Sequence, residues 1–246
     1  MPSMKTSLDE IADGIFQIST FLPDVGEWGF TLNQFLIRAD EPLLFHCGPK
    51  WLFENMLEFA SRVTKMHRIQ YLAFSHVETD ECGALELWLK RVSRQAQVVM
   101  STVAAQWTAA DLTDAPVKAL RDSELLSLGD RQVRWKATPH VLHGWDAGML
   151  LDETTNTLLC ADVFTQVGER PPMTDTADIV EWAFEADDAM GATAITPALC
   201  ATLLELAEIR PDTLAVMHGA SFNGDCRDAL HALSEGYLHR LENKMP

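Results

Sequence analysis

The chain has 246 residues, of which 47% are hydrophobic and 22% charged, so it can bury a substantial core and is not a disordered polar chain. Its net charge of -17 argues against nucleic acid or an anionic membrane surface as a partner, because both need clustered Lys and Arg. The start lacks a signal-peptide core, no apolar run is long enough to span a bilayer, and the five cysteines never form a C-x-x-C pair, so the sequence reads as a reduced, cytoplasmic protein without a disulfide framework.

Residues 14–20 alternate apolar and polar side chains, the pattern of a half-buried strand. A loop over 21–29 carries Pro23, Gly26 and Gly29, and strands follow over 31–38 and 42–45. Apolar spacing predicts a helix over 51–65, then a strand over 69–74, a helix over about 82–91 and a short strand at 98–100. Residues 103–109 suit a helical turn, and 124–127 and 132–137 suit strands around the Gly129-Asp130 turn. A hairpin spans 149–152 and 157–160, with helices over 179–190 and 197–209, a strand at 214–217 and a closing helix over 226–241. Strands and helices alternate in two similar halves with polar residues at strand ends. That pattern predicts one α/β domain, two sheets sandwiched between helices.

The stretch 74–83, Phe-Ser-His-Val-Glu-Thr-Asp-Glu-Cys-Gly, organises the rest. It places four candidate ligands, His76, Glu78, Asp80 and Glu81, on the turn from a strand to a helix. In an extended segment residues i, i+2 and i+4 point the same way, so His76, Glu78 and Asp80 can converge on one point. The plainer alternative has Asp80 and Glu81 capping the helix. Three further candidates follow apolar strands: His143 at a few residues' remove, Asp162 and His218 directly. Candidates at strand ends along one edge can meet in space. Asp146 either orients His143 through its other ring nitrogen or is a solvated turn residue. Cys82 is either a thiolate ligand or a small apolar residue. His140 is either a partner behind the ligands or a plain loop residue, the latter reading being favoured, and His67, His231 and His239 read as ordinary.

The pattern His76-x-Glu78-x-Asp80-Glu81-x-Gly83, then His143, Asp162 and His218-Gly219, resembles the metal-binding pattern of the metallo-β-lactamase superfamily. Most of its hydrolases carry His-x-His-x-Asp-His. Glu at the second position, as Glu78 here, is similar to the flavodiiron proteins and the related stand-alone oxygen-binding diiron proteins. Leu142-His143-Gly144-Trp145-Asp146 also resembles a segment of that branch. The resemblance runs from about Gly14 to Gly219 and implies an αββα sandwich, two mixed sheets between helices, with residues 1–246 read as a single domain. It implies two metals bridged by Asp162, one held by His76, Glu78 and His143, the other by Asp80, Glu81 and His218. The sequence departs from the branch at Glu81, where His is usual, which predicts a weaker second site. It departs again at His46, where the superfamily often has Asp.

Four carboxylates balance two divalent ions, and a carboxylate-rich set favours iron, with zinc and manganese open. The resemblance then implies a diiron protein that binds or reduces O2 or a similar small oxidant. No bound flavin is expected, so the partners are a small-molecule or gas ligand and an external electron donor, with a homodimer as the assembly. The rival readings are a dinuclear zinc hydrolase of a small ester, lactone or thioester, and a metal-stabilised binding module without chemistry.

Overall fold

A computed structural model describes residues 4–244. The first sheet runs in the order β1 (Lys5–Ala12), β2 (Ile15–Leu22), β3 (Phe30–Ile37), β4 (Leu43–Phe45), β5 (Tyr71–Ala73), β6 (Gln97–Ser101) and β7 (Val117–Leu120). Its first four strands are antiparallel neighbours, and β4 to β7 pair in parallel. The second sheet contains β8 (Leu125–Ser127), β9 (Gln132–Ala137), β10 (Gly148–Asp152), β11 (Thr157–Leu159), β12 (Met173–Thr174), β13 (Thr213–Ala215) and β14 (Ser221–Phe222), in the order β12-β14-β13-β11-β10-β9-β8. Both sheets are mixed, and helices flank them.

The sandwich follows from the two faces of each strand. On β3, Phe35 and Ile37 point between the sheets, where they meet Phe45, Trp135, Leu150 and Ala215. Leu32 and Leu36 point the other way, onto α1 (Phe53–Val63) and α3 (Leu85–Leu89) through Met56, Leu85 and Trp88. On the far side of the second sheet, Leu158 and Leu214 pack against α6 (Ile179–Met190), α7 (Pro197–Ile209) and α8 (Cys226–Lys244). Gly148 is required where the sheets meet, because a Cβ there would overlap the Trp135 ring. Three apolar layers between four structural layers account for the high fraction of hydrophobic residues.

Sequence periodicity predicts α6 and α7 to the residue. Their ends carry plain signals. Thr196 accepts a hydrogen bond from the Leu199 amide with Pro197 next in line, and Gly191 closes α6 in the left-handed region. It misses β1, whose Lys-Thr-Ser-Leu-Asp-Glu-Ile-Ala sequence lies on a largely solvated edge and shows no apolar alternation. The helix expected over 82–91 is instead two short ones, α2 (Thr79–Cys82) and α3, interrupted at Gly83-Ala84. Between β6 and β7, α4 (Thr102–Trp107) and α5 (Ala109–Leu112) replace the expected single turn. Among the described residues no helix is long and apolar enough to cross a membrane.

Parallel pairing decides where function can sit. β4 and β5 run side by side in the first sheet, and β11 and β13 do so in the second. Their carboxyl ends deliver His46, Ser75-His76, Asp162 and His218 in the loops that follow. Ligand sites of open α/β sheets lie at such ends.

Candidate metal centre

Six of the seven sequence-expected candidates line one cavity, and the seventh, His76, stands against Glu78, His143 and Asp162. His76 comes off β5, and Glu78 occupies the position before α2. Glu78 makes no side-chain capping bond. Its carboxylate turns to two imidazoles instead: Oε2 lies 3.0 Å from Nε2 of His76 and 2.9 Å from Nε2 of His143. The two Nε2 atoms stand 3.1 Å apart. Gly144 lets the loop carrying His143 cross over His76, since its φ is +80° and a Cβ would sit 3.3 Å from that of His76.

Asp80 does not join this group. The helical turn of α2 rotates it away, so the single convergence of His76, Glu78 and Asp80 that an extended segment allows does not occur; a 3.6-residue period replaced the two-residue one. Asp80, Glu81 and His218 form a second group, with Asp80 Oδ2 3.5 Å from Nε2 of His218. Glu81 is almost fully buried and its Oε2 has no hydrogen-bond partner, which a solvated helix cap would have.

Asp162 stands between the groups. Its Oδ2 is 3.6 Å from Nε2 of His76 and 3.4 Å from that of His143, while Oδ1 is 3.4 Å from Nε2 of His218. Oδ1 lacks a well-aligned hydrogen bond although it is buried. Two unpaired buried carboxylate oxygens, and two imidazole nitrogens and a carboxylate oxygen about 3 Å apart, suit a shared ion. Nitrogen and oxygen ligands about 2.1 Å from a shared ion take up such spacings. The residues fit a dinuclear metal group.

The electrostatics agree. Burial raises the Glu81 carboxyl well above its ordinary value, and the charges of Asp162 and Asp80 push it further. Burial would raise Asp162 too, yet the imidazoles of His218, His76 and His143 hold it well below the carboxylate range. Burial opposes a charge on His218, but Asp162 and Asp80 raise its pKa overall. His218 Nδ1 donates to the Thr31 carbonyl at 2.9 Å, leaving Nε2 to face the cavity.

Asp146 does not reach the ring of His143. It is buried, and its Oδ2 accepts from the Val77 amide at 3.0 Å, tying one ligand-bearing loop to the other. Cys82 lies outside the candidate groups; its thiol donates to the Glu78 carbonyl, and burial pushes its pKa up to about 11. His67, His140 and His239 are exposed. Sequence reasoning missed the upper wall. Phe30, Leu142, Met190 and Tyr237 enclose a cavity of about 180 Å³ above the floor, and Phe30 packs on His218 with ring centroids 4.4 Å apart. Tyr237 looks like any core position of an amphipathic helix, so periodicity gives no sign of it.

A family model described as ODP family beta lactamase matches residues 30–219. The coenzyme F420H(2) oxidase of Methanothermobacter marburgensis is 27% identical over 176 residues, covering 66% of this chain and 43% of the oxidase. Among solved structures, the rubredoxin oxygen:oxidoreductase of Desulfovibrio gigas superposes with a TM-score of 0.80 at 20% identity, over 94% of this chain and 62% of that one. The flavodiiron protein of Giardia intestinalis gives 0.81 at 17% identity, over 95% and 59%. This chain therefore has the fold of the metal-binding portion of flavodiiron proteins, and it spans between 43% and 62% of the length of these relatives.

Proposed function

The chain belongs to the ODP family of beta lactamases, and from that membership we propose that it holds two iron ions with which it binds or reduces O2 or a similar small oxidant. His76, Glu78 and His143 would hold one ion and Asp80, Glu81 and His218 the other, with Asp162 standing between the two groups. The observation that carries this is Asp162, whose two oxygens face the two groups from between them. Iron supplies the change of oxidation state that zinc lacks.

The chain's own residues set the conditions. Glu78, Asp80, Glu81 and Asp162 offer four negative charges to two divalent ions, so the loaded floor is neutral, and a carboxylate-rich set suits iron better than a thiolate-rich one would. Filling the second position requires Glu81 to give up the proton that burial and its acidic neighbours favour, so that position is the weaker. Phe30, Leu142 and Met190 give the cavity an apolar wall above the floor. Burial pushes the Tyr237 phenol up to about 12, so it keeps its proton at neutral pH and offers a hydrogen-bond donor at the cavity wall. Electrons come from an external donor, in keeping with relatives named as oxidases of a coenzyme and of rubredoxin.

The test loads separate samples with iron and zinc, then assays each for oxygen uptake with a chemical reductant and for cleavage of ester, lactone and thioester substrates. Oxygen uptake by the iron form, with no hydrolysis by either, is the expected result. Rapid hydrolysis by the zinc form with an iron form inert to O2 would make the protein a hydrolase.

A further inference from the structure

Behind His76 runs a chain of buried polar atoms that the two metal groups do not use. His46, at the end of β4, is fully buried, holds a φ of 66° and stacks on Phe45. Its Nδ1 lies 2.8 Å from Sδ of Met217, and its Nε2 lies 3.1 Å from Oγ of Ser75. That same Oγ lies 2.8 Å from Nδ1 of His76. Four side chains from three strand ends thus make one line from Met217 to the cavity floor.

The order of protons along this line is determined. A thioether sulfur has no proton to give and only accepts. Nδ1 of His46 must therefore carry a hydrogen, since a bare nitrogen 2.8 Å from sulfur would set two lone pairs against each other. Burial keeps His46 neutral, with its pKa pushed down to about 3, so the ring has one proton and Nε2 is bare. Ser75 then gives its single hydrogen to His46, and its oxygen accepts one from Nδ1 of His76. His76 is left with its Nε2 lone pair facing Glu78 and His143. Run the other way, the line would put the hydrogen on Nε2 of His76 and close that atom to a metal.

We propose that Met217, His46 and Ser75 form a proton-ordering relay that fixes His76 in the Nδ1–H tautomer and so prepares Nε2 to bind the metal. These are positioning residues, and the proposal rests on the reading of His76 as a ligand. The relay gives the fully buried, left-handed His46 a purpose at a place where packing alone would favour an apolar residue.

Nitrogen NMR on isotope-labelled protein, metal-free and zinc-loaded, reads the tautomer of each histidine. His46 should show a proton on Nδ1 and a bare Nε2 in both forms. Ser75→Ala should weaken zinc binding, measured by competition with a chelator, by roughly 10- to 100-fold, while Ser75→Thr keeps the hydroxyl and retains most of the affinity. Met217→Leu removes the sulfur and should give His46 a mixed tautomer. A proton on Nε2 of His46 in the wild type overturns the relay, and so does a folded Ser75→Ala that binds zinc as the wild type does. If Ser75→Ala does not fold, the wild-type spectrum still decides. A wild type that takes up no zinc overturns instead the reading of His76 as a ligand, and the His46 spectrum separates that failure from failure of the relay.

Discussion

Glu78 is half exposed, caps nothing and touches two imidazoles, so its only structural employment is at the centre. Glu78→Ala should lower the metal content of the purified protein while changing the stability of the metal-free form by no more than about 0.5 kcal/mol, as surface substitutions do. Unchanged metal content would remove Glu78 from the ligand set. Glu81 behaves in the opposite way. Its folded pKa is raised, so in metal-free protein it costs stability as pH climbs above the ordinary Glu value, and none below it. Glu81→Gln should therefore melt at a higher temperature than the wild type at alkaline pH with chelator present. The two should converge in acid, and the variant should take up less metal. A Gln variant that is no more stable at alkaline pH would mean that Glu81 sits comfortably ionised. Such residues are legible in sequence because His, Glu and Asp crowd strand ends where a core would place none. Spacing alone does not read how they divide: the family resemblance puts Asp80 with Glu81 and His218, an extended 76–80 would side it with Glu78, and the choice depends on where α2 begins, a boundary that pattern reading places only to about two to four residues.

At the level of elements, two loops carry the first group, the one from β5 to α2 with His76 and Glu78 and the one from β9 to β10 with His143. Asp146 joins them by accepting from the Val77 amide inside the protein. Asp146→Ala should leave that amide without a partner and cost about 1–3 kcal/mol in chemical denaturation. It should also weaken metal binding through His76 and Glu78 without touching either. Normal metal affinity in a folded Asp146→Ala protein would show that the loops hold their places unaided. The sequence offers Asp146 as a partner of His143 because carboxylates often orient ligand imidazoles. Its real partner is a main-chain amide 69 residues earlier, and no spacing rule reaches that far. Helices α6 and α7 were legible for the converse reason, since their caps and apolar faces are local.

Across the molecule, the charge of -17 and the acidic floor set the partners. The protein should give no electrophoretic shift with DNA or RNA at physiological salt; tight binding there would contradict the charge argument. The two sheets matter because each contributes half of the centre: the first supplies His76, Glu78, Asp80 and Glu81, the second His143, Asp162 and His218. Asp162 is where the halves join. The most direct test is the iron content of anaerobically loaded protein beside that of Asp162→Asn, which keeps the volume and loses the charge. Between one and two irons per chain are expected in the wild type, the second position filling less readily, and both are lost in the variant, with far-ultraviolet circular dichroism unchanged. A wild type that binds no iron, or a variant that fills both positions, would contradict this.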